Sequence, residues 1–156
     1  SQGFKKVAGF IFGKNRNRGS RLSQPSEGRG AAMAMTAPVR INMEGPTSQP
    51  EKVTISFVMG ANYTTKTLPV PLDRDVKIQT VPPHVMAAVS FSGPPPSEAV
   101  VDQKRRIIES EIAKAGTGII RLRSGRSNTL VYGYHDPFMT PNLLRKNEVG
   151  IIVDAA

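Results

Sequence analysis

From Ser97 to Gly116 the chain sets Val100, Val101, Lys104, Ile107, Ile108, Ile112 and Ala115 at steps of three and four residues, the period of an α-helix with one apolar face. Ser97 suits its N-cap and Gly116 its end. Asp102, Arg105, Arg106, Glu109 and Lys114 fall on the other face as an ordinary solvated surface. Strand-like runs flank this helix: His84 to Ser92 before it, Thr129 to Tyr134 and Asn147 to Val153 after it, with a loop from His135 to Lys146. The order is β-α-β-β. With a helix and strands in one unit, the expected class is α+β.

The first half repeats the order weakly. Residues 3–13 read as a helix, with Val7, Phe10 and Ile11 on one face, Phe4, Ala8 and Phe12 on an adjacent i, i+4, i+8 stripe, and Gly13 as a C-cap. Ala34 to Met43 reads as a strand, with Pro38 confining its middle to an edge or bulge. Gly45 to Pro50 is a turn, and Val53, Ile55, Phe57 and Met59 alternate as in a half-buried strand. Pro69, Pro71 and Asp73 mark an extended connection, and Val76 to Val81 reads as a short strand. The missing leading strand is expected upstream of Ser1, in keeping with a processed or partial chain. One domain over residues 1–156 is the expectation for this length.

Composition narrows function. There is no cysteine, which removes disulfides, thiolate zinc sites and a catalytic thiol. No apolar run reaches the roughly 20 residues of a membrane-spanning helix. The net charge is +9, and it is uneven: residues 1–29 hold seven bases (Lys5, Lys6, Lys14, Arg16, Arg18, Arg21 and Arg29) against Glu27 alone. Residues 14–33 therefore read as a basic, flexible loop, able to attract an anionic membrane surface or a larger protein assembly through its 14–29 part. Low aromatic content and charge confined to one loop argue against nucleic acid.

Catalytic patterns are poor. With two histidines and no Gly-x-Ser-x-Gly elbow, no nucleophile and base pair is evident. Gly13 to Gly19 lacks the Gly-Lys-Ser/Thr ending of a P-loop, and Asp73 with Asp75 does not make a metal site.

Six phrases carry a family resemblance: Gly3 to Asn15 (GFKKVAGFIFGKN), Ala34 to Val39 (AMTAPV), Ser56 to Met59 (SFVM), Leu68 to Asp73 (LPVPLD), Val89 to Gly93 (VSFSG), and Tyr134-His135-Asp136-Pro137 with Thr140-Pro141 and Arg145-Lys146-Asn147-Glu148-Val149. In this order the chain resembles the SOUL/haem-binding family over essentially its whole length. The resemblance implies a distorted antiparallel β-barrel of two β-α-β-β repeats with two helices outside, as in bacterial effector-binding domains. It also implies a non-enzymatic binder of haem or another tetrapyrrole, acting as carrier or buffer. The implied ligand surface lies between the first helix and the loop before the Arg-Lys-Asn-Glu phrase. His135 within the usual Tyr-Asp-Pro-Pro run, Phe138 in place of a second proline, and the long basic loop over 16–33 depart from the family pattern and bear on ligand identity.

A flat tetrapyrrole needs an apolar platform and cations for its carboxylates. Phe4, Ala8 and Phe12 are the expected platform, with Lys5 and Arg145 or Lys146 as cations and Met139 on the second wall. His135 is the candidate axial ligand, since imidazole binds haem iron well. His84 reads as structural, and Arg145 and Glu148, flanking Asn147, as an ion pair or loop anchor. The alternative function is a docking or structural subunit that keeps the fold without haem. The expected compartment is the chloroplast, with the cytoplasm as the alternative.

Overall fold

The computed structural model describes residues 2–19, 30–116, 118, 120–122, 128–135 and 139–155. In chain order their elements are α1 (Gln2–Ile11), β1 (Asn15–Arg16), β2 (Val39–Glu44), β3 (Lys52–Phe57), β4 (Val70–Pro71), β5 (Val85–Ser92), α2 (Glu98–Ala115), β6 (Ile120–Leu122), β7 (Thr129–Gly133) and β8 (Lys146–Ala155). The chain divides into two compact units, Ser1–Thr36 with Ile55–Pro82, and Ala37–Thr54 with Pro83–Ala156.

The second unit is built on one long strand, β8. The sheet runs β3-β2-β7-β8-β5. β5 pairs with β8 from Ser92↔Lys146 to Val85↔Val153. On the other edge of β8, β7 pairs from Gly133↔Asn147 to Thr129↔Ile151 and β6 continues from Leu122↔Val153 to Ile120↔Ala155. Register then sorts side chains into two faces. One carries Ile41, Met43, Val131, Val149, Ile151, Val153, Ala87 and Val89, and meets Val101, Ile108 and Ile112 of α2 in a common core. The row Arg40, Tyr132, Glu148 and Ser90 occupies the opposite face.

Helix α2 forms as its periodicity predicts: the Ser97 side chain accepts from the Val100 N–H, and Gly116 ends it at φ 78°. Arg105 Nε reaches Glu109 at 2.8 Å and Arg106 reaches Asp102 at 2.9 Å, both i, i+4 pairs, although the Arg105 side chain is largely buried rather than solvated.

The first unit centres on α1, which buries Ala8, Phe10 and Ile11. Phe10 and Ile11 join Met33 and Leu68, with Phe57, Met59, Tyr63, Val76 and Ile78 packed around them. The chain leaves the helix through Gly13 at φ 110°, and the two-residue strands β1 and β4 pair antiparallel.

Three expectations change. The strand expected over Ala34 to Met43 starts only at Val39, because Pro38 has no N–H to give a ladder. Val76 to Val81 is not a strand: Val76 and Ile78 pack on the Phe10 cluster instead, and Pro82 and Pro83 remove the donors that would extend a ladder. Among the described residues the sheet of the distorted barrel is not closed, and its path ends on β3 and β5. Of the expected basic loop, residues 20–29 lie outside the described residues, as does Phe138.

Candidate functional site

In the first unit the candidate surface grows from α1. Because Ala8, Phe10 and Ile11 turn inward, Phe12 is left just past the helix with 66% of its surface exposed. Phe4 is half-buried, its ring edge-on to Phe57 at a centroid distance of 5.5 Å and 67°. The Phe4, Ala8, Phe12 stripe is therefore split. Ala8 is buried, while Phe12 offers an open aromatic face. Lys5, about two helical turns earlier, is exposed and, among the described residues, makes no ion pair, whereas Lys6 is tied to Asp75. That hydrogen bond and the opposite charges hold the Asp75 carboxyl below its ordinary range and the Lys6 ammonium above its own. An aromatic face with an uncommitted ammonium about 10 Å along the same helix can stack a flat apolar ring and meet an acid group on its rim.

In the second unit the loop before β8 is held by side chains that strand register brings together. Tyr134 Oη donates to Glu148 Oε2 at 2.5 Å, Ser90 Oγ donates to Oε1 at 2.9 Å, and Lys146 Nζ reaches Oε1 at 2.8 Å. Lys146 Nζ also stands 4.7 Å from the centre of the Tyr134 ring. Burial together with the Glu148 hydrogen bond and charge pushes the Tyr134 phenol up to about 12. For Glu148 burial pushes upward, but the hydrogen bonds from Lys146, Tyr134 and Ser90 and the Lys146 charge prevail and hold the carboxyl low.

A carboxyl depressed in the folded chain adds stability above its unfolded pKa and loses it as pH falls through the folded value. Glu148→Gln is therefore expected to cost about 1–3 kcal/mol at neutral pH. In urea titrations the gap between the variant and the parent should narrow steadily below about pH 4.5; a gap independent of pH would disprove the assignment.

Arg145 Nε donates to the Thr140 carbonyl at 2.8 Å, and Asn147 Nδ2 donates to Gly93 O at 3.0 Å and Pro94 O at 3.3 Å. The expected loop anchor is thus divided: Arg145 ties down its own loop, and Glu148 serves the Tyr134 network. His135 Nδ1 accepts the Lys146 N–H at 3.0 Å. A neutral ring in that bond keeps its proton on Nε2, so iron ligation through Nε2 requires the proton to leave that nitrogen. Met139 is 83% exposed.

The structure thus gathers Phe4, Lys5, Ala8 and Phe12 on one helix and its exit, and His135, Met139 and Arg145 on one loop of the other unit. Sequence reasoning missed Tyr134, Ser90 and the exposed Leu143 and Leu144; only the apolar pair directly before Arg145 and Lys146 was there to be read. Among the described residues no group of three or more His, Asp or Glu is placed to hold a metal ion. A cavity of about 320 Å³ lies between the Gly45 to Ser48 turn and α2, lined by Asp102, Arg105, Arg106 and Glu109. Its charges are already paired, and Thr47 donates to Asp102 at 2.7 Å. It serves the fold.

A family model described as SOUL heme-binding protein matches residues 1–152. No curated protein matches the chain.

Proposed function

Because the chain belongs to the SOUL haem-binding protein family, we propose that it binds haem or a related tetrapyrrole reversibly, as a carrier or buffer and not as a catalyst. The observation that carries this reading is Phe12, an aromatic side chain left 66% exposed at the exit of the Lys5-bearing helix that opens the family match. Removing one face of a macrocycle from water supplies the driving force, and a nearby ammonium offsets the desolvation of its carboxylates.

The residues of the ledge fit that task. Phe12 and the exposed part of Phe4 take the ring and Lys5 takes an acid group, while Ala8 is buried. When bound, haem supplies an iron whose chemistry the protein can tune only through what reaches it. The hydrogen bond from the Lys146 N–H to His135 disfavours this histidine as an obligatory ligand. In the other unit, Met139 and Arg145 are the residues whose contribution single substitutions should measure.

Haemin titration followed by its Soret band tests the proposal. A saturable shift near one equivalent is expected. Phe12→Ala should weaken binding by roughly tenfold or more, the scale of one lost ring contact, whereas His135→Ala should change it by less than about threefold. No spectral change with stoichiometric haemin would refute the reading; a greater loss for His135→Ala than for Phe12→Ala would make ligation, not the ledge, the source of affinity.

A further inference from the structure

Resting on the tetrapyrrole reading, we infer that Lys14 is a specificity-determining residue of the same ledge: with Lys5 it receives the two acid groups of a dicarboxylate macrocycle, so that the site selects free-acid tetrapyrroles over esterified ones. Lys14 lies beyond the helix exit, yet its side chain turns back onto α1. Its N–H donates to Gly9 O at 2.8 Å and its carbonyl accepts the Leu72 N–H at 3.3 Å, so its backbone is fixed from both sides. A Cβ built on Gly9 would stand 3.1 Å from Lys14 Cδ and 3.7 Å from Cγ. The lysine stem thus fills the place that a side chain at position 9 would need, and the ammonium, two bonds past Cδ, is kept beside that turn of the helix.

Gly9 lies between the residues of the ledge. Lys5 precedes it by four positions and Phe12 follows it by three, the spacings that bring helical residues onto one face. A glycine inside a helix costs about 1 kcal/mol relative to alanine. At this position it leaves room for a second cation to reach the face that already carries Lys5.

Neither ammonium is committed elsewhere. Lys5 and Lys14 are exposed and, among the described residues, make no ion pair, whereas Lys6 holds Asp75. The described residues of the first unit carry five bases over 2–19 and three over 55–82, against two carboxylates, Asp73 and Asp75. Asp73 follows Leu72, the backbone partner of Lys14. Its Oδ1 accepts the Asp75 N–H at 2.9 Å, and its charge, like that of Asp75, acts on the Lys6 ammonium. Glu27, the remaining acid of the unit, lies outside the described residues. A carboxylate resists leaving water unless a cation meets it. A ring with two acid groups settling on Phe12 therefore needs both lysines, and a diester gains from neither.

The test titrates the full chain with haemin and with haemin dimethyl ester in the same mild detergent. The parent should prefer haemin by roughly tenfold, the scale of two exposed charge pairs, and less so in high salt. Lys14→Met should reduce that preference by about three- to fivefold, and Lys14→Arg should restore most of it. Lys66→Met, which removes the same charge elsewhere in the unit, should leave the preference unchanged. Gly9→Ala, which favours the helix but displaces the Lys14 stem, should reduce the preference without lowering the Tm. Equal binding of haemin and its diester to the parent would overturn the inference and leave the tetrapyrrole reading standing. So would an equal loss for both ligands in Lys14→Met, or an equal effect of Lys66→Met. Binding of neither ligand to the parent would overturn both.

Discussion

Replacing Ile151 by alanine should lower the free energy of unfolding by about 3–4 kcal/mol, within the range of fully buried isoleucine truncations. Ile151 is entirely buried. It lies in the middle of β8 with Ala87 of β5 on one side and Thr129 of β7 on the other, and within the core that Ile108 and Ile112 of α2 complete. Every neighbour is held by a ladder hydrogen bond or a helix, so the vacated volume cannot collapse easily and the cavity adds to the lost transfer energy. Leu143→Ala, on the exposed turn, is the matched control and should stay within about 0.5 kcal/mol. Urea unfolding with a common m-value decides it. A loss below about 1 kcal/mol for Ile151→Ala would mean that this strand is not the centre of the core.

The second large effect is expected at Asn15, which is 3% exposed and joins three parts of the first unit. Its Nδ2 donates to Phe10 O at 2.7 Å and to Ala31 O at 2.8 Å, and its Oδ1 accepts the Ala31 N–H at 3.0 Å. Asn15→Leu keeps the branching of the side chain but orphans buried groups that each cost about 1–3 kcal/mol when unpaired; a total loss of about 3 kcal/mol is expected. Gly30→Ala attacks the same junction sterically. A Cβ there would collide with Gly13 O and stand 2.5 Å from Asn15 O, backbone atoms with no freedom to withdraw. It should destabilise to a similar degree. The double variant should cost clearly less than the sum, because the first change already opens the junction. Full additivity would show that Asn15 and Gly30 act independently.

The Asn15 junction shows why parts of the fold could not be read along the chain. A lone Asn after a helix looks like an ordinary turn residue, and β1 and β4, two residues each, are too short to leave a periodic pattern. They exist because residues 15–16 and 70–71 meet across the first unit. The Val76 to Val81 pattern satisfied local rules for a strand, yet its apolar side chains found partners in the Phe10 cluster and its backbone found no ladder. The same limit applies to the candidate site. The order of motifs identified the family and the ledge-bearing helix, but which of Phe4, Ala8 and Phe12 stays open depended on what packs against that helix.

The sequence by itself determined α2 and the strands around it through periods of 3.6 and 2, and the family, with the antiparallel α+β class it implies, through ordered motifs, because both are local properties of the chain. Tertiary structure alone decided the burial of Ala8, the exposure of Phe12, Leu143 and Leu144, and the joining of Ser90, Tyr134, Lys146 and Glu148. Those depend on which distant segments become neighbours, and strand register and packing, unlike periodicity, are relations between segments rather than features of one.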